Sequence, residues 1–418
     1  MTPQAANWAG NITFGARQLH RPRTVEELQT IVASSDHVRA LGSGHSFNRI
    51  ADTTGDLVSV ADLPATVEIA GDKRSARVSG GMKYGMVAQA LQANGLALHN
   101  LGSLPHISVA GAVSTGTHGS GVGNGSLSTA VNSVELVTAD GSIAILRRGD
   151  PGFPGAVISL GALGIITHLT LDLEPSYEVD QTVYVDLPRT ELHRSFEAIM
   201  ASAYSVSLFT GWQGGDLVDM AWLKRRVDRD GAAPGQDWHG AVPATRAMHP
   251  IPSLPGDEAT QQLGVRGPWN ERLPHFRMEF TPSNGDELQS EYFVARDVAV
   301  EAIAALEPLS DRIAPALMIG EIRTVAADEL WLSPAYQRDS VALHFTWLND
   351  TPAVLPVLTA MEAALAPYGA RPHWGKVFTL APERVRALYP HFADFQQLQA
   401  EFDPNGVFRN EFLEPYLG

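Results

Sequence analysis

The chain has 418 residues, 44% of them hydrophobic, which supports two or three domains' worth of core and argues against disorder. Its 46 acidic residues against 30 basic ones give a formal charge of −16, which repels nucleic acid and anionic membrane surfaces. With no cysteine, disulfides, thiolate catalysis and Cys-ligated zinc or iron–sulfur centres are excluded, and no apolar run reaches the ~20 residues of a spanning helix.

The opening MTPQAANWAG has neither a basic nor an apolar leader region, so a cytoplasmic location is expected. Residues 21–35 read as an amphipathic helix: Thr24 and Glu27 form a capping box, and Val25, Leu28 and Val32 share one face. A strand from Val38 to Leu41 delivers the run Gly42-Ser43-Gly44-His45-Ser46-Phe47-Asn48. Either this is a mobile turn with a solvated histidine, or it is a phosphate cradle. In a cradle, Gly42 and Gly44 let backbone N–H groups converge on an anion while Ser43 and Ser46 add hydroxyls. Short β-rich runs follow at 57–60, 66–70 and 76–79, then a helix over 83–93 with Gly95 at its C-terminal cap. A second loop, GSLPHISVAGAVSTGTHGSGVGNGSLS over 102–128, contains no charged residue other than its histidines. Leu104, Ile107, Val109 and Val113 are spaced for burial, so a long ordered loop wrapping an extended charged cofactor is expected in preference to a flexible linker.

Strands are expected at 134–138, 143–146 and 165–173, which completes an α+β unit. After Glu174-Pro175 aromatic and charged strands take over. Lys224-Arg225-Arg226, the most evident basic cluster, reads as a solvated strand end, and the Pro/Gly-rich passage 231–268 is either an insertion over a site or a plain surface excursion. Helices near 296–306 and 353–365 flank two informative strands. In the first, Glu321 and Arg323 lie two apart and share a side. In the second, Val341, Leu343, Phe345 and Trp347 form an apolar face opposite Ala342, His344 and Thr346. This is the solvated face of a sheet or a hydrogen-bonding floor, and a floor of this composition, with Lys376 from the turn RPHWGK, suits a polyol because each hydroxyl takes a donor and an acceptor.

Nucleotide-binding Rossmann, P-loop, zincin and α/β-hydrolase motifs are not found. The runs GSGHSFN, ISVAGAVSTGTHGSG, LGALGIITHLTLDLEP and FDPNGVFRNEF together resemble the covalent flavoproteins of the vanillyl-alcohol oxidase type, and GEIRTVAAD and RPHWGK are similar to their sugar-alcohol and aldonolactone oxidase branch. The resemblance implies an FAD-binding domain at 1–175, a substrate domain at 176–377 built on an antiparallel sheet flanked by helices, and a segment at 378–418 returning to the FAD domain. It implies FAD tethered through His45 and contacted by Gly42, Ser43, Gly44, Ser46, Ser103, Ser108, Gly111, Ala112, Val113, Ser114, Gly116, Ile166 and His373. Substrate is expected at Ser103, Glu321, Arg323, Thr346 and Lys376, with Glu321, Arg323, Lys376 and His344 catalytic, the base left open, and Gly102 beside a path for oxygen. The expected reaction oxidises the terminal hydroxyl of small alditols of the xylitol or sorbitol type to an aldose, with hydrogen peroxide as co-product, in a monomer without metal, nucleic-acid or membrane partners. An aldonolactone oxidase or dehydrogenase and a non-catalytic flavin or sugar binder are the alternatives.

Overall fold

Residues 5–280 and 286–417 are described by the structure, a computed structural model. The first helix is Val25–Ser34, and Thr24 caps it by accepting from the Glu27 amide at 3.2 Å. The reciprocal arm of the box falls one residue earlier than the motif predicts, with Glu27 accepting from the Arg23 amide at 2.8 Å. Leu28 and Val32 are its buried face.

A small parallel sheet, Gln18–His20, Asp56–Val58 and Val38–Ala40 in spatial order, aims the 42–48 loop. Beside it a five-stranded antiparallel sheet runs in the order Val67–Ile69, Ser75–Ser79, Ile165–Asp172, Val131–Val137, Ile143–Arg147. The second loop differs from expectation in its centre, where Val109–Thr115 is a helix ending at Gly116, whose φ of 74° is left-handed. Ala and Val turn Val109, Ala112 and Val113 into the core, and a glycine takes the left-handed cap without a Cβ penalty.

The large sheet has nine strands among the described residues. Its main path is Val242–Pro243, Glu178–Pro188, Leu217–Arg226, Ser205–Thr210, Leu317–Val325, Ser340–Leu348, Glu287–Ala295 and Arg371–Pro372, with Gly267–Pro268 beside Glu178–Pro188. Every pairing in it is antiparallel. Val341, Leu343, Phe345 and Trp347 pack beneath the helices Arg189–Met200, Ala299–Leu306 and Thr351–Leu365 in one apolar cluster. The opposite face carries the polar side chains of alternate positions and looks into a cavity. The C-terminal helices Pro382–Ala387 and Phe392–Phe402 pack through Val385, Phe392 and Phe395 into the core of the N-terminal unit.

Candidate active site

One cavity of about 360 Å³ runs from the 42–48 loop to the polar face of the large sheet. Strand register explains why its floor is polar. Glu321, His344 and Glu291 lie abreast on three neighbouring strands, and the next row is Ile319, Thr346 and Gln289. Alternation then sends all six to one side.

Within the floor, Arg323 donates from Nη2 to Glu291 Oε1 at 2.6 Å, and Lys376 Nζ donates to Glu291 Oε2 at 2.7 Å. Lys376 Nζ also meets His344 Nδ1 at 2.7 Å, and His344 Nε2 meets Thr346 Oγ1 at 3.1 Å. An ammonium only donates, so Nδ1 accepts and the His344 proton sits on Nε2, donating to Thr346. Arg323 lies 3.5 Å from Glu321 Oε2, and its Nη1 reaches Ser103 Oγ at 3.4 Å. His118 Nε2 is 3.2 Å from Glu291 Oε1 without the alignment of a hydrogen bond, and burial lowers the pKa of this imidazole.

Burial alone would raise Glu291, but Lys376, His118 and Arg323 outweigh it and hold the carboxyl well below its usual range. Glu321 is likewise held low against burial, by Arg323 and His275. Burial, then Lys376, keeps His344 neutral by depressing its pKa far below 6.5. Burial also lowers Lys376, with Glu291 opposing. Two buried carboxylates thus face a buried and a largely buried cation, where the attraction is stronger than at an exposed surface.

At the other end, His45 stacks on Trp8 with centroids 5.0 Å apart, and its Nδ1 contacts Ser43 O at 3.0 Å. Burial, with Ser43 opposing, lowers its pKa to about 4, so the imidazole is neutral. Gly44 has φ 73° and its carbonyl accepts from the Trp8 amide. A Cβ on Gly42 would fall 2.4 Å from Ser108 Oγ, which is itself buried and without a partner among the described residues. A glycine-lined cradle ending at such a hydroxyl, beside apolar walls including Ile50, Val60, Leu160 and Ile166, fits a dinucleotide with a flat heteroaromatic ring at each end.

The two ends are stapled together. Phe47 N donates to Gly375 O at 2.8 Å, and Asn48 Nδ2 donates to the carbonyls of Trp374 and Lys376 at 2.7 and 2.8 Å. The His45 loop and the Lys376 turn therefore hold each other in place. Of the expected residues, Gly42, Ser43, Gly44, His45, Ser46, Ser103, Ser108, Gly111, Ala112, Ser114, Ile166, His373, Glu321, Arg323, His344, Thr346 and Lys376 line the cavity. Val113 turns into the core, Gly116 caps its helix, and Gly102 sits just behind Ser103. Within the passage 231–268, His249, Pro250, Ile251 and Leu254 reach the cavity, so that stretch covers the site, while 231–237 stays largely exposed. Glu291, Gln289, His118 and His275 are lining residues that sequence reasoning missed. Alternating polar residues at 287, 289 and 291 were the available signal for the first two.

The solvated strand end expected at 224–226 is not what the structure shows. Lys224 and Arg226 are 1% and 2% exposed, Lys224 behind the site and Arg226 paired with Glu174 and Asp228 and packed over Tyr177.

Cradle and floor define an FAD-dependent oxidoreductase of the vanillyl-alcohol oxidase type. Residues 16–147 match the model of an FAD binding domain, and residues 286–416 match that of D-arabinono-1,4-lactone oxidase. Over the full length of both chains the protein is 52% identical to an alditol oxidase of a Streptomyces species and 27% identical to an L-gulono-1,4-lactone dehydrogenase of Mycobacterium tuberculosis. The chain belongs to the alditol oxidase family. A cholesterol oxidase structure from B. sterolicum shares the fold, with a TM-score of 0.79 at 16% identity, covering 99% of this chain and 96% of the other.

Proposed function

We propose that this protein oxidises the terminal primary hydroxyl of small alditols to an aldehyde and passes the electrons to oxygen, so that alditol and O₂ give aldose and hydrogen peroxide. The observation that carries this reading is the floor of Glu321, Arg323, His344, Thr346 and Lys376 facing the His45 cradle across a single cavity. FAD, bound there and tethered through His45, supplies the hydride acceptor.

Ser103, Thr346, Arg323 and Lys376 hold the hydroxyls, and the two cations stabilise the alkoxide that develops as the proton leaves. Glu291 is saturated by Arg323 and Lys376, and the protonated nitrogen of His344 faces Thr346. Glu321, ionised and lining the cavity, is the acceptor we assign to the substrate proton; held well below the usual carboxylate range it is a weak base, so it takes the proton as the hydride leaves, when the hydroxyl has become strongly acidic, and not before. The reading takes a monomer in the cytoplasm as the working form, checked by light scattering and cell fractionation.

Anaerobic mixing with xylitol or sorbitol should bleach the flavin, and in air peroxide should appear in step with aldose. Glu321→Gln, Arg323→Met and Lys376→Met should keep the flavin and slow its reduction by ~10²-fold or more, the scale of one lost transition-state donor. Normal reduction in all three would remove the site assignment. His45→Ala should release flavin on denaturation where the wild type retains it. The lactone oxidase match over 286–416 favours aldonolactone oxidation as the second reading, and preferential reduction by L-gulono-1,4-lactone in the same assay would select it.

A further inference from the structure

Behind Glu321 lies a pair of buried titratable groups that the scheme above does not use. His275 Nε2 is 2.8 Å from Glu321 Oε1, and Lys224 Nζ is 3.1 Å from His275 Nδ1. Lys224 also donates to the carbonyls of Leu273 and Pro274 at 2.5 and 2.9 Å. Its side chain reaches there from the Leu217–Arg226 strand, whereas Glu321 belongs to Leu317–Val325, so three separate parts of the chain converge.

We propose that Lys224 and His275 are positioning residues for Glu321, the lysine fixing the imidazole in the tautomer that donates to the carboxylate and so aims Glu321 at the substrate hydroxyl. The proposal rests on the role given to Glu321 above. Three N–H bonds leave the ammonium, two go to carbonyls, and the third has only His275 Nδ1 to meet. Nδ1 must then accept, which puts the ring proton on Nε2. The other end demands the same tautomer, because an ionised carboxylate only accepts. One Glu321 oxygen is thereby occupied, and rotation that would turn the carboxylate away from the cavity breaks a hydrogen bond between buried groups. A purely structural staple for residues 273–275 needs the two carbonyl contacts but not the third.

The charged surroundings are few. Glu321 is faced by Arg323 on its own strand, by His344 from the neighbouring strand, by His275, and at longer range by Lys376 and Lys224. His275 is faced by Lys224, Glu321 and Arg323, and Lys224 by His275, by Glu321 and by the Trp222 ring at 5.9 Å. Burial, with Glu321 opposing, pulls Lys224 down to about 7, so the lysine holds its third proton on the acid side of neutrality and surrenders it through the neutral range.

The test uses the holoenzyme with ¹⁵N-labelled histidine, its His275 signals assigned by their loss in His275→Gln. His275 should show an unprotonated Nδ1 and a protonated Nε2 near pH 6. A proton on Nδ1 would overturn the proposal whatever the activity. Lys224→Met should mix the tautomers and slow anaerobic flavin reduction about tenfold, the scale of one charge-assisted hydrogen bond, with little change in KM. Combined with His275→Gln it should cost no more than the worse single change. A wild-type rate in Lys224→Met, or multiplying effects in the double variant, would reduce Lys224 to a structural staple. If Lys224→Met does not fold, the wild-type tautomer still decides. Wild-type flavin that alditols fail to reduce would refute the proposed substrate and leave the tautomer result standing.

Discussion

Glu291 joins Arg323 and Lys376 through its two oxygens and is completely buried on its side chain. Without it, two cations would share the single charge of Glu321 at the buried floor of the cavity. Glu291→Gln should therefore destabilise the fold by about 3–5 kcal/mol, the usual cost of breaking a buried ion pair from one side, read as a lower urea midpoint. It should also slow flavin reduction, because Lys376 loses the charge that keeps it protonated and pointed at His344. An unchanged midpoint would show that water or a rotated neighbour replaces the carboxylate. In the sequence Glu291 carried no motif, and its importance comes from pairing across strands that lie about fifty residues apart. Lys224 was misread for the same reason. A run of basic residues looks solvated until the carbonyls of residues 273 and 274 are folded onto it.

At the level of elements, the legible parts were those whose pattern is local. Period-two alternation placed Glu321 with Arg323 and His344 with Thr346, and the helix caps at Thr24 and Gly95 were signalled by side-chain chemistry and by glycine's tolerance of positive φ. What stayed hidden was which strand lies beside which, and hence the row that sets Glu291 next to His344. The helix inside the second loop was hidden too, since seven residues are too few for a stable isolated helix, the Gly, Ser, Thr and two Val outweigh the two Ala, and the segment is held by burial of Val109 and Val113. That loop carries a test of oxygen access. Gly102 does not have a left-handed φ, and a Cβ there would make ordinary contacts with Thr117 Cγ2 at 3.5 Å, His118 O at 3.7 Å and Ile107 Cδ1 at 3.8 Å. Gly102→Ala should thus fold and take up flavin normally. It should reoxidise in air several-fold more slowly than the wild type while reduction by alditol is little changed. Equal reoxidation rates would remove Gly102 from the oxygen path.

Across the whole molecule, Arg39 is the point where distant segments meet. It is 2% exposed and donates to the carbonyl of Ile50 from Nε and Nη2, to Leu160 from Nη2, and to Gly161 and Phe408 from Nη1, at 2.6 to 3.2 Å. One guanidinium thereby ties the strand that aims the cradle to the turn before Ile165–Asp172 and to the C-terminal segment 369 residues away. Asp403 supplies the counter-charge that opposes the desolvation of Arg39, and its carboxylate also accepts from the amides of Val407 and Phe408 at 2.7 and 2.8 Å. Arg39→Met would strand four carbonyls and leave Asp403 without a cation, at about 1–3 kcal/mol for each group left unsatisfied. Relaxation toward water will recover part of this, so a loss of several kcal/mol is expected, with early proteolysis near residues 403–412 and incomplete flavin uptake. Arg39→Lys keeps the charge but cannot span the same carbonyls with its single nitrogen, so it should restore part of the stability and leave the C-terminal segment more open to protease than in the wild type. Wild-type unfolding and proteolysis in Arg39→Met would mean that the C-terminal segment is held by its apolar packing through Phe395 and Leu413 alone.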